Sequence, residues 1–104
     1  MTDLGIRIEG DGAKRVVHLD GSCDLATIPD LRQALQPLGP PEVMELVLDV
    51  SRLEFCDSTG LGTMLGALRR MREGGGEFAI AGASGTILRL LEITGLDSVV
   101  PLVP

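Results

Sequence analysis

Residues 46–76 read LVLDVSRLEFCDSTGLGTMLGALRRMREGGG, and a change of period within them decides the fold. Leu46, Val47, Leu48 and Val50 form a short, near-continuous apolar run. Such a run is expected of a strand buried on both faces, as in a parallel sheet. From Ser58 to Glu73 the pattern changes. Leu61, Met64, Leu65, Leu68 and Met71 recur at helical spacing and mark a buried stripe. Gly74, Gly75 and Gly76 stop that helix. The unit is a strand, a short turn and a helix.

The flanks repeat the alternation. Toward the N-terminus, Leu4, Ile6 and Ile8 alternate with Gly5, Arg7 and Glu9, the period of a half-buried strand. Asp11-Gly12 is a turn signal, and Arg15 to Asp20 follows as the second arm of a hairpin. A polar stretch from Gly21 to Thr27 leads to a helix with Thr27 as N-cap and Pro29 in the first turn. Ile28, Leu31, Leu35 and Leu38 share one face of it, and Pro37, Gly39, Pro40 and Pro41 end it. Beyond the glycines, Glu77 to Ala81 is a short strand. Ser84 caps a helix carrying Ile87, Leu88, Leu90 and Leu91, with Gly95 at its close. Val99 to Val103 is the last strand. Pro101 cannot donate to a ladder, so this strand belongs at an edge or is very short. The order is β-β-α-β-α-β-α-β, an α/β fold, and 104 residues make one domain, 1–104.

Composition narrows the function. Hydrophobic residues are 44% but aromatics only 2%, so the core is built from aliphatic side chains and Met. With 15 acidic and 9 basic residues the net charge is −6, which argues against nucleic acid. Almost no aromatic platform exists for stacking bases. No apolar run approaches the roughly 20 residues of a membrane span, and no signal peptide is visible. A cytoplasmic location is expected. Cys23 and Cys56 with a single histidine, His18, do not make a metal set, and no phosphate-binding Gly-Lys-Ser/Thr loop occurs. Neither a metal, a cofactor nor catalysis is expected. Cys23 and Cys56 each follow a strand and could open on one rim, but two buried thiols packing as small hydrophobes is the favoured reading.

The candidate site is Phe55-Cys56-Asp57-Ser58-Thr59-Gly60, which joins a buried strand to a helix start at the rim where α/β sheets carry function. Asp57 or Ser58 can cap the helix, and on this segment alone ordinary capping suffices. Gly60 and Gly62 cost about 1 kcal/mol each against Ala in a helix, so close approach of another backbone, or of a partner, is the better explanation of both. With the apolar stripe turned inward, Gly62, Thr63, Gly66, Arg69 and Arg70 turn outward. The glycines suit either a partner or a neighbouring element of the same domain.

These residues resemble a known family. Leu48-Asp49-Val50-Ser51 followed by Asp57-Ser58-Thr59-Gly60-Leu61-Gly62 is similar to the signature of STAS-domain anti-sigma factor antagonists. Gly21, Asp24-Leu25-Ala26-Thr27, Pro29 and Leu31 resemble the family's loop and first helix, and Leu90 to Asp97 its last helix and exit turn. The resemblance implies a mixed central sheet with helices mainly on one side. It implies a binding protein, not an enzyme, whose partner is an anti-sigma factor with serine kinase activity. Binding frees a sigma factor, phosphorylation of Ser58 ends binding, and a serine phosphatase resets the switch. Thr59 is the weaker acceptor. Partner-binding residues carried over are Asp24, Asp57, Ser58, Thr59, Gly62 and Gly66, and Asp49 is expected on the same acidic rim. Cys56 and Cys23 depart from the more usual apolar residues. A monomer is expected. The alternative is an unphosphorylated STAS scaffold or interaction subunit of a stress-signalling or transport complex.

Overall fold

A computed structural model describes residues 3–104. Five strands and three helices follow the expected order: β1 (Leu4–Glu9), β2 (Lys14–Cys23), α1 (Ile28–Leu35), β3 (Glu45–Cys56), α2 (Ser58–Glu73), β4 (Glu77–Ala81), α3 (Gly85–Thr94) and β5 (Leu102–Val103), with a 3-10 turn at Leu96–Ser98. The strands lie in the sheet in chain order, β1-β2-β3-β4-β5. β1 pairs antiparallel with β2, and every later pair is parallel, so the sheet is mixed.

Helices α1, α2 and α3 share one core with the sheet. Ile28, Leu31 and Leu35 of α1, Leu61, Met64, Leu68 and Met71 of α2, and Ile87 and Leu91 of α3 meet Val17, Leu19, Leu46, Leu48, Val50, Phe78 and Ile80. The alternate residues of the strands point away from the helices. In β3 these are Val47 and Asp49, which are half-buried, and Ser51, which is exposed. β3 is therefore covered on one face only, which corrects the expectation of a strand buried on both. The helix-facing residues alone supply the apolar signal, and Val47 made the run look continuous.

β2 and β3 are also longer than their apolar runs. Past Asp20 and Val50 they continue to Cys23 and Cys56, through shifts of register between His18 and Asp20 and between Gly21 and Ser22. Leu53 and Cys56 remain buried while Ser51, Arg52, Glu54 and Phe55 are exposed. The polar residues at Gly21–Ser22 thus belong to a strand end and not to a loop. Pro101 sits just before the two-residue edge strand β5, and its carbonyl accepts from the Ile80 N–H at 2.9 Å.

Candidate functional site

The extended ends of β2 and β3 carry the candidate residues to the carboxyl rim of the sheet. Asp57 is the N-cap of α2, with an extended backbone at φ −97°. Its Oδ1 accepts from the Gly60 N–H at 3.0 Å and from the Thr59 hydroxyl at 2.6 Å. Its Oδ2 accepts from the Leu25 N–H at 3.2 Å, and its own N–H donates to the Cys23 carbonyl at 3.1 Å. One carboxylate therefore caps α2 and ties it to the loop after β2. The Thr59 hydroxyl, the Gly60 N–H and then the Leu25 N–H hold the Asp57 carboxyl below its ordinary pKa, because each bond favours the charged form.

Ser58 is the first residue of α2 and is exposed. Among the described residues, none bonds its hydroxyl. Thr59 differs, being half-buried with its hydroxyl committed to Asp57. Of two adjacent hydroxyls, only that of Ser58 stands clear at the rim.

Asp24 lies on the same rim but chiefly orders its own loop. Its Oδ1 accepts from the N–H of Ala26 at 3.0 Å and of Thr27 at 3.3 Å. Thr27 occupies the N-cap position of α1 without a side-chain bond to that helix. Its hydroxyl turns back to the Ser22 carbonyl at 3.0 Å instead, so its bond stabilises the loop.

Asp49 is not on this rim. It lies mid-strand on the face without helices, where its Oδ2 is 2.6 Å from His18 Nδ1. His18 Nε2 is 2.6 Å from Glu9 Oε1. With both ring nitrogens against carboxylates, His18 donates to both only as the imidazolium, which then bridges three strands. The Glu9 bond, then the Asp49 bond, raise its pKa. Burial works against ionisation of Asp49. The bonds from Ser51 and His18 outweigh it and hold that pKa below the ordinary value.

The glycines of α2 have separate causes. A Cβ at Gly60 would lie 2.7 Å from Cys56 Sγ, 2.8 Å from Cys23 Sγ and 2.9 Å from the Cys23 carbonyl. Close approach within the chain explains Gly60. At Gly62 nothing lies within 4 Å, and at Gly66 only the Arg70 guanidinium comes near, at 3.8 Å. Gly62, Thr63 and Gly66 instead line a groove of about 420 Å³ between α1 and α2, with Arg32 and Arg70 also in its walls.

Two residues within the stretches singled out in the sequence, Leu25 and Phe55, were not among the partner-binding positions expected. Leu25, 73% exposed in the loop after β2, and Phe55, 48% exposed one residue before the end of β3, present apolar surface at this rim. A leucine inside the polar stretch from Gly21 to Thr27 is the sign that could have marked the first.

The family model described as "Mlab, STAS domain" matches residues 6–104. The chain belongs to the STAS domain family. It is 34% identical over 89 residues to the anti-sigma-B factor antagonist of Listeria monocytogenes, covering 82% of this chain and 78% of that protein. With the anti-sigma-B factor antagonist of Staphylococcus aureus it shares 35% over 80 residues, 77% and 74% of the two chains. An anti-sigma factor antagonist from Mycobacterium paratuberculosis superposes with a TM-score of 0.87 at 28% identity, covering 98% of this chain and 86% of that one. This STAS domain shares its fold, with helices on one side of a mixed sheet, with that structure.

Proposed function

We propose that this chain is an anti-sigma factor antagonist, a binding switch and not an enzyme. As a single cytoplasmic domain and a monomer, it binds an anti-sigma factor with serine kinase activity and so releases a sigma factor. Phosphorylation of Ser58 ends binding, and a serine phosphatase restores it. The contact surface is the rim of Asp24, Asp57, Ser58 and Thr59, continued along α2 by Gly62 and Gly66.

The observation that carries this reading is the exposed, uncommitted hydroxyl of Ser58 at the start of a 16-residue helix, beside a Thr59 whose hydroxyl is tied down. The antagonists that this chain resembles at 34% and 35% identity support the partner class. A phosphate adds about −1.5 to −2 charges at neutral pH. The dipole of α2, positive at this end, favours such a charge even though Asp57 already holds the Gly60 N–H, so no refolding is needed to accept it. The carboxylate of Asp57 is one residue away, however, and Asp24 is on the same rim. The added charge meets like charge there and must be desolvated wherever a partner covers Ser58. Each tenfold loss of affinity requires only about 1.4 kcal/mol. Repulsion and desolvation, not a fold change, thus turn binding off.

The test is incubation with the cognate anti-sigma factor and ATP, read by intact mass and peptide mapping. One phosphate on Ser58, absent in Ser58→Ala and accompanied by weaker binding, is the expected result. Tight binding with no phosphate transferred would move the chain to the unphosphorylated scaffold class.

A further inference from the structure

Beneath Ser58 lies a feature that partner binding does not use. Cys23 and Cys56 are the last residues of β2 and β3, and they are direct partners in the parallel register. Both are free thiols, 0% and 5% exposed, and both touch the space above Gly60. Parallel neighbours lie about 4.8 Å apart, inside the Cα separation of about 4.4–6.8 Å that a disulfide spans. Their side chains point to the same face, since each packs in the one core. The Sγ atoms of Cys56 and Cys23 lie 2.7 and 2.8 Å from the position a Cβ would take at Gly60, and the Cys56 thiol donates to the Asp57 carbonyl at 3.5 Å.

We propose that Cys23 and Cys56 are a redox-modification site that closes into a disulfide when a hydroperoxide reaches the rim. One sulfur of the pair, as its thiolate, attacks an oxygen of the O–O bond, giving a sulfenic acid and hydroxide, which leaves as water once protonated. The other sulfur then displaces the sulfenic oxygen, with loss of a second water. Two thiols and one hydrogen peroxide become one disulfide and two waters, so the sulfurs supply both electrons. Cys56, the less buried of the two, is the point at which so small an oxidant enters.

The consequence follows from the bonds above the pair. A disulfide holds its Cβ atoms about 3.8 Å apart, closer than unlinked neighbours on parallel strands, so the two strand ends are drawn together. The Cys23 carbonyl holds the Asp57 N–H at 3.1 Å and faces Gly60. Moving it moves the cap of α2, and with it Ser58. The effect on a partner rests on the Ser58 reading above; the dithiol chemistry does not, since it is read without any partner.

The experiment exposes the purified, folded chain to hydrogen peroxide and then blocks remaining thiols. The expected result is loss of two hydrogens by intact mass, with the tryptic peptides 16–32 and 53–69 linked. Amide NMR signals of residues 57–60 shift on oxidation and return on addition of a dithiol reductant. Neither Cys23→Ala nor Cys56→Ala forms the link. The wild-type NMR comparison stands even if a variant folds poorly. Two thiols still free in the folded chain, a link between two chains, or a disulfide that leaves signals 57–60 in place would each overturn the proposal.

Discussion

Alanine at Gly62 and at Gly60 should move stability in opposite directions, although the two sites are half a turn apart in one helix. At Gly62 a methyl group enters open space, with nothing within 4 Å. It removes the entropic penalty of glycine in a helix, a gain of about 0.5–1 kcal/mol. For a chain of this size that raises Tm by about 2–8 °C. The same gain is available at Gly60, but there the methyl carbon meets two sulfurs and a carbonyl oxygen at 2.7–2.9 Å. The thiols have some freedom, whereas the Cys23 carbonyl is fixed by its bond from Asp57. Overpacking of this kind costs about 1–3 kcal/mol. Set against the helix gain, Gly60→Ala is destabilised by up to about 2 kcal/mol. The chain has no Trp and no Tyr, so urea unfolding is followed by far-ultraviolet circular dichroism instead of fluorescence. The midpoint should rise for Gly62→Ala and fall for Gly60→Ala. Equal midpoints, or a more stable Gly60→Ala, would refute the packing argument. Because Gly62 also belongs to the proposed contact surface, its stabilised variant should bind the anti-sigma factor more weakly. Tighter or unchanged binding would remove Gly62 from the interface.

Three further outcomes are expected. The imidazolium of His18 contributes stability that is complete below the ordinary pKa of about 6.5 and is lost as pH rises through its higher folded-state value; urea midpoints measured across that interval should fall more in the wild type than in His18→Gln. Asp57→Ala, which loses the cap and the tie to Leu25, should lower Tm by several degrees, while Asp57→Asn keeps the cap through its amide oxygen but sets an NH2 against the Leu25 N–H, and should fall between Asp57→Ala and the wild type in a thermal melt. Phe55→Ala and Leu25→Ala remove exposed surface beside Ser58, so they should leave the urea midpoint nearly unchanged and cost about tenfold in affinity for the anti-sigma factor by calorimetry.

The elements whose residues pattern strongly were legible in the sequence. β1 and α2 run over the residues that their periods mark, because alternation and helical spacing are both unbroken there. The ends of β2 and β3 were not legible. One face of the sheet is open to water, so Ser51, Arg52 and Glu54 can be polar within a strand, and register shifts interrupt the alternation that would reveal it. The position of Asp49 was lost for the same reason. A strand ending near Val50 puts Asp49 at a rim, whereas a strand reaching Cys56 leaves it mid-face against His18. Ser58, Asp57 and Thr59 share one turn, so local chemistry was enough to group them. The adjacency of Cys23 and Cys56 depends on the register between strands distant in the chain, which no local pattern carries.

The unreversed strand order has a consequence for what this molecule can recognise. In doubly wound sheets a crevice opens where successive crossovers leave toward opposite faces, and small ligands settle there. Here three crossovers step across the sheet in one direction and their helices share one core with it, so all leave on one side and no such parting forms. The carboxyl rim instead presents Ser58, exposed at the start of α2. On the function proposed above, this chain offers only that hydroxyl, and the nucleotide and the chemistry come from the protein that closes over it.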